Sequence, residues 1–318
     1  MRYVAIITGT GGLQDAMAER LMEDNIRVVR MGCKTKHKGQ KMIDTNMKRQ
    51  VEVSRVFEKY GRRIRYILHA SDHKRITKEE LDYTGVLPTT YLLEATKKYC
   101  ASTPFIYVSS NKVYNGKLND IIHYAGSKRV EVLRDGFYYE GITEEMYMEQ
   151  SIKSPGGAAC YVSDVVTQDY GMFYGMRTAC FRLSDVSGPR CKGRIEKLVK
   201  NAIKGIKHEI RGYGGLQVTD TIHVSDVVEA FMCYYENPKG SQVYNLGGGR
   251  YNNYSVIEVS RDIEKLCGER PETPVKEPRT GDFYWYITNN FKFKGDYPEW
   301  ALKYKMETII KEELENCS

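Results

Sequence analysis

A chain of 318 residues, 41% hydrophobic, with a net charge of +7, is long enough for one large α/β domain with a smaller lobe, and it needs no independent second domain. No apolar run approaches the roughly twenty residues of a membrane span, and the amino terminus leads into an apolar strand without a charged leader, so a cytoplasmic protein with no membrane partner is expected. Eight scattered cysteines without a CxxC pair argue against structural zinc or a redox motif, and basic residues dispersed rather than interleaved with aromatics argue against a nucleic-acid partner.

The opening stretch, YVAIITGTGGLQDAMAERL over residues 3–21, sets an apolar run before a glycine-rich turn and an amphipathic helix after it. This is the pattern of the first βα unit of a dinucleotide-binding fold. One glycine permits the tight turn, a second lets backbone approach a pyrophosphate, and a third lets the helix pack closely. Gly9 and Gly12 are in place, but Asp15 holds the third position. Its carboxylate can interact with the free N–H groups and dipole of the first turn, standing in for a phosphate, or it can face solvent if the helix is shifted.

Strand and helix then alternate. The pattern predicts strands over residues 26–31, 66–69 and 105–109, with helices over 51–60 and 79–99 and a basic segment over 34–41. Residues 115–153, rich in tyrosine and charge, read as an insertion with a long loop. A helix over 162–174 and a strand over 178–183 follow, then helices over 195–206 and 225–235, a strand over 243–246, and closing helices over 255–266 and 302–314. The repetition implies an α/β fold, a Rossmann-like doubly wound parallel sheet with a smaller C-terminal α/β substrate lobe. The first domain is expected over 1–182 with contributions from 217–250, and the interleaved lobe over 183–318.

Several strings, taken in order, carry a family resemblance: ITGTGG (6–11), LLEATKKY (92–99), YVSSNKVYNG (107–116), FRLSDVSGP (181–189), QVTDTIHVSDVVEAF (217–231) and VYNLGGG (243–249). Together they resemble the extended short-chain dehydrogenase/reductase family, in particular its nucleotide-sugar epimerases and dehydratases, similar to CDP-tyvelose 2-epimerase. The resemblance implies a Rossmann domain holding NAD and a carboxyl-terminal lobe holding a nucleotide sugar. It also implies a homo-oligomer built through helices 79–99 and 162–174.

The family's chemistry uses a tyrosine as acid/base, a lysine four residues on that lowers its pKa, and a Ser or Thr that orients the substrate. Ser110 matches the last. Counting back from FRLSDVSGP, the tyrosine falls on Gly156 and the lysine on Cys160, so neither a phenol nor a permanent cation is present there. Tyr124 and Lys128 form a literal YxxxK and are the rescue candidate; Tyr161 is followed at the lysine spacing by Val165. On the cofactor side the ribose-binding acid falls at Met31 or Gly32. Arg30 and Lys34 could bind the 2′-phosphate of NADP or belong to a solvated loop, and Asn46 occupies the adenine-contacting position. On the substrate side Arg182 is retained, the clamp arginine has become Thr219, and Asp220 and His223 remain, with structural capping as their other reading. No metal ligand set is present.

Two functions follow: a degenerate, non-catalytic homologue acting as a binding or assembly module, or an active NAD(P)-dependent epimerase/dehydratase with a rebuilt site. Expected partners are a nucleotide sugar and further copies of the chain or an assembly partner.

Overall fold

The structure, a computed structural model, describes residues 2–33, 39–70, 85–114, 116–121, 123–149, 153–207, 209–268, 275–278 and 281–317. The chain divides into two units, the first comprising Met1–Val113, Ser154–Arg182 and Val228–Tyr244, the second the remainder.

Strand β1 (Val4–Thr8) is buried along its whole length, as a central strand covered on both faces must be. After it come α1 (Gly12–Glu23), β2 (Arg27–Met31), β3 (Lys41–Ile43), α2 (Gln50–Tyr60), β4 (Ile64–Ala70), α3 (Leu87–Cys100) and β5 (Phe105–Ser110). The short strands β6 (His123–Ala125) and β7 (Val130–Val132) precede α4 (Pro155–Tyr174) and β8 (Thr178–Leu183). Next are β9 (Asp185–Ser187), α5 (Arg194–Ile203), β10 (Ile210–Arg211), β11 (Val218–His223), α6 (Val224–Glu236) and β12 (Gln242–Leu246). The chain closes with β13 (Asn253–Ser255), α7 (Val256–Cys267), β14 (Val275–Lys276), α8 (Phe291–Asp296) and α9 (Met306–Cys317).

The seven-stranded sheet runs β12-β8-β5-β4-β1-β2-β3. β1 pairs in parallel with β2 on one side and β4 on the other, so strand order reverses beside β1, and ligand crevices form at the carboxyl ends of strands at such a reversal. This is the doubly wound Rossmann-like sheet the sequence predicts. Its core joins Ile6, Ile67 and Phe105 of the sheet to Phe57 of α2 and Leu92 and Leu93 of α3. In the second unit β11 pairs antiparallel with β13 and parallel with β9. There α5, α7 and α9 share a core through Leu198, Val199, Val259, Ile263, Ile309 and Ile310.

Two expectations change. Residues 115–153 are not only loop: they carry the antiparallel hairpin β6–β7 and belong to the second unit. The helix expected from residue 162 starts at Pro155, where Ser154 accepts a hydrogen bond from the Gly157 N–H at 3.1 Å. An N-cap serine followed by proline at the first helical position is a strong start signal, and here it overrides the two glycines that follow.

Candidate functional site

The carboxyl-end rim of the first unit is built around the β1–α1 turn. Gly9 has φ +80, and a Cβ there would lie 2.5 Å from the Ala70 carbonyl oxygen, so only glycine fits. α1 begins at Gly12 with no side chain capping it. Asp15, in the first turn of α1, does not face solvent: its carboxylate is 3.3 Å from the Arg30 guanidinium, with side-chain exposures of 13% and 0%. Arg30 also donates to the Gly9 carbonyl oxygen at 2.9 Å. Its register partner in β1 is Ile7, which brings its side chain under the glycine turn. Burial lowers the Arg30 pKa, and Asp15 opposes the shift. The expectation that Arg30 serves a solvated loop or a 2′-phosphate is therefore corrected; Lys34, its proposed companion, lies outside the described residues.

Gln14 went unnoticed in the sequence. It is buried, and a Cβ on Gly11 would meet its Oε1 at 3.0 Å. A side-chain amide thus lies against the glycine turn whose open backbone a pyrophosphate would approach. Gly32, at the ribose position, has φ +67, and a Cβ there would meet Met47 Cγ at 2.6 Å. No carboxylate is available from Gly32, and none could be introduced without displacing Met47. Asn46 is exposed; its Oδ1 accepts from the Lys48 N–H at 3.0 Å and its own N–H donates to Glu52 at 2.9 Å, a local turn leading into α2.

At the end of β5 the Ser110 hydroxyl is half-buried, accepting from the Lys112 N–H at 3.2 Å and lying 3.3 Å from Asn111 Oδ1. Gly157 in the first turn of α4 is close to this segment: a Cβ there would lie 3.0 Å from the Lys112 carbonyl oxygen. Cys160, one turn further, is buried, and burial pushes its thiol up to about 12, with the Tyr107 hydroxyl as a partner that opposes the shift. This thiol is neutral at physiological pH.

Arg182, expected on the substrate side, is buried. It makes a bidentate pair with Asp164 of α4, Nε to Oδ2 at 3.1 Å and Nη2 to Oδ1 at 2.9 Å, both side chains essentially buried. Ser109 donates to the same carboxylate at 2.6 Å and Gln168 at 2.6 Å. The group is a closed brace between α4, β5 and β8 rather than an open subsite. Asp164 is not marked by the sequence because Arg182 and Ser109, which meet it in the brace, lie 18 and 55 residues away.

In the second unit Tyr124 lies on β6, 53% exposed, and Lys128 in the following turn, its carbonyl accepting from the Ser255 hydroxyl at 2.6 Å. A YxxxK pair aligns its side chains only on a helix, where residues four apart share a face. This hairpin gives no such alignment. Asp220 is fully buried; its Oδ2 accepts from the Gly249 N–H at 2.8 Å, and burial pushes it up to about 6. It anchors the Gly247-Gly248-Gly249 loop, where a Cβ on Gly247 would lie 2.3 Å from the same Oδ2. His223 accepts at Nδ1 from the Ser225 N–H and pairs through Nε2 with Glu312 at 2.8 Å, stacking on Tyr304. Among the described residues no group of His, Cys, Asp or Glu could hold a metal ion, and no helix is long and apolar enough to cross a membrane.

With this geometry in place, comparisons with known proteins give a consistent picture. The sequence profile of the NAD dependent epimerase/dehydratase family matches residues 5–247, and the chain belongs to that family. CDP-paratose 2-epimerase of Salmonella typhi is 27% identical over 194 residues, 56% of this chain and 54% of that protein. Human dTDP-D-glucose 4,6-dehydratase is 26% identical over 196 residues, 60% of this chain and 47% of the relative. The aligned stretches thus span about half the length of these relatives. The fold matches dTDP-glucose 4,6-dehydratase of Bacillus anthracis in complex with NAD, with TM-score 0.78, 21% identity and coverage of 98% and 96% of the two chains. It also matches UDP-glucose 4-epimerase of Thermotoga maritima with UDP-glucose, with TM-score 0.79, 21% identity and coverage of 98% and 97%.

Proposed function

We propose that this member of the NAD dependent epimerase/dehydratase family is a non-catalytic binding or assembly module. The observation that carries the reading is the first turn and a half of α4. Aligned on the family's tyrosine and lysine, these positions hold Gly156, which has no proton to exchange, and Cys160, a buried thiol that carries no charge. Neither can do what the tyrosine–lysine pair does. The rescue pair Tyr124 and Lys128 lies on a hairpin, where the spacing does not assemble an acid/base unit.

The cofactor side supports the same reading. Relatives are described in complex with NAD. In this chain the β1–α1 turn meets a buried ion pair and the Gln14 amide, and the ribose position lacks a carboxylate. These residues do not fit a dinucleotide. A sugar nucleotide remains a candidate ligand by kinship, and the exposed Val165, Met172, Phe173 and Tyr174 of α4 are a surface suited to assembly.

The test is direct. Protein purified from its host and then denatured is expected to release no NAD or NADP by mass spectrometry, and to show no change in nicotinamide absorbance with UDP-, dTDP- or CDP-sugars. Turnover lost in Tyr124→Phe or Lys128→Ala would overturn the reading and locate a rebuilt site.

A further inference from the structure

A pocket of about 570 Å³ lies at the amino-terminal edge of the seven-stranded sheet, the edge opposite the glycine turn. Its described lining includes Arg2, Arg27 and Arg63, together with Val4, Met22 and Tyr60. Val4 and Arg27 are the register-paired first residues of β1 and β2, and Tyr60 and Arg63 lie at the end of α2 and in the turn after it. We propose that this pocket binds a small organic phosphate, its phosphoryl group on the arginines and its organic part on the apolar wall.

The chemistry of the lining argues for that class. Arg2 is held by donation from Nε to the Asn25 carbonyl oxygen at 2.8 Å, and Arg63 by donation to the Lys59 and Tyr60 carbonyl oxygens at 2.7 and 3.3 Å. Both cations are thus oriented by neutral acceptors. Arg27 is exposed, and no carboxylate appears in the described lining. Three arginines therefore line one concavity whose described lining holds no carboxylate. The carboxyl ends of α1 and α2 point to this edge and bring roughly half a negative charge each, which leaves a net of about two positive charges. Guanidinium matches phosphate oxygens in planar, bidentate geometry, and a dianionic phosphoryl group answers a net charge of two more fully than a carboxylate does. The volume falls within the range of about 300 to 1,000 Å³ typical of small-molecule sites. Tyr60, 4% exposed, adds a ring to the wall, and its buried hydroxyl has no hydrogen-bond partner among the described residues.

Calorimetric titration of the full chain at low ionic strength tests the site, with ribose 5-phosphate, inorganic phosphate and ribose as probes. Ribose 5-phosphate is expected to bind below millimolar concentration, inorganic phosphate more weakly, and ribose not at all. Arg27→Gln, at an exposed side chain, keeps the melting temperature and weakens ribose 5-phosphate by about tenfold or more. Lys265→Gln, an equal loss of charge on α7, leaves it unchanged. Absence of binding by the wild type, or equal weakening by Lys265→Gln, would overturn the proposal. A short single-stranded oligonucleotide that binds more tightly than ribose 5-phosphate and is released by Arg27→Gln would overturn it in favour of a nucleic-acid surface.

Discussion

Asp15 Oδ1 and Arg30 Nη1 stand 3.3 Å apart beneath the first turn of the Rossmann sheet, and the same guanidinium donates to the Gly9 carbonyl oxygen. The carboxylate offsets a cation that is wholly buried, and it does so beside the turn that in a dinucleotide site receives a phosphate. One negative charge is already in place there, held by the protein itself.

Replacing Asp15 tests this arrangement. Asp15→Gly leaves the Arg30 guanidinium buried with its carbonyl partner but without this carboxylate, and the loss of stability in urea is expected to be on the order of 3 kcal/mol. The same variant frees a cation for an incoming phosphate, so NAD and NADP should bind at least about tenfold more tightly than to the wild type. The wild type is expected to bind either dinucleotide more weakly than about 1 mM, equivalent to roughly 4 kcal/mol. Micromolar binding by the wild type in calorimetry would contradict the assignment.

The Arg182–Asp164 pair should behave as a brace. Arg182→Met alone strands a buried carboxylate and is expected to cost about 3 to 5 kcal/mol, whereas Arg182→Met with Asp164→Leu recovers much of that loss. Denaturant melts of the single and double variants give the comparison. A stable Arg182→Met variant with weakened sugar-nucleotide binding would instead place Arg182 at a ligand.

Cys160 should be inert. With its thiol pushed up to about 12, the thiolate fraction at pH 8 is roughly one in ten thousand, and iodoacetamide mapped by mass spectrometry should spare it while marking the half-buried Cys233 and Cys267. Cys160→Lys places an ammonium in a site that already disfavours charge, and a loss of several kcal/mol is expected. Rapid alkylation of native Cys160 would show that the start of α4 is open.

Two buried acids set a pH slope. Burial pushes Glu313 up to about 7, helped by Glu196 and Glu312 and opposed by the Gly188 N–H and Lys200, and it pushes Asp220 up to about 6. Unfolded carboxyls titrate near pH 4, so between about pH 4 and 7 the native state holds protons that the unfolded state has released. Stability from these two groups is therefore full in acid and falls as pH rises through 6 and 7. The melting temperature should drop between pH 5 and 8, and Glu313→Gln, which still accepts from Gly188, should flatten part of that slope. A melting temperature that rises over this range in the wild type, with no change in Glu313→Gln, would contradict the prediction.

Assembly has its own readout. Phe173, 76% exposed on α4, adjoins exposed Met172 and half-exposed Tyr174, whose ring lies under Lys97 of α3. If α3 and α4 pair between copies, light scattering at tens of micromolar gives a dimer or larger, and Phe173→Glu gives a monomer. A monodisperse wild-type monomer would remove the assembly half of the proposed function.

The sequence alone determined what depends on neighbours along the chain. The apolar run of β1, the identical bounds of β8 over Thr178–Leu183, and the glycine turn with its Gly9 requirement all follow from local periodicity and backbone sterics. The order of family strings gave the fold, because sheet order follows from alternating strands and helices. Tertiary structure decided where charge goes. Arg30 looked like the edge of a basic loop because its partner lies a helix away, and Arg182 looked like a ligand contact because Asp164 sits on another element. Tyr124 and Lys128 satisfied a spacing but not the helix that gives the spacing meaning; Gly126-Ser127 between them was the available turn signal. Pairing a buried charge is a three-dimensional condition, since desolvation penalises an ion wherever it is buried and only contacts in space offset it.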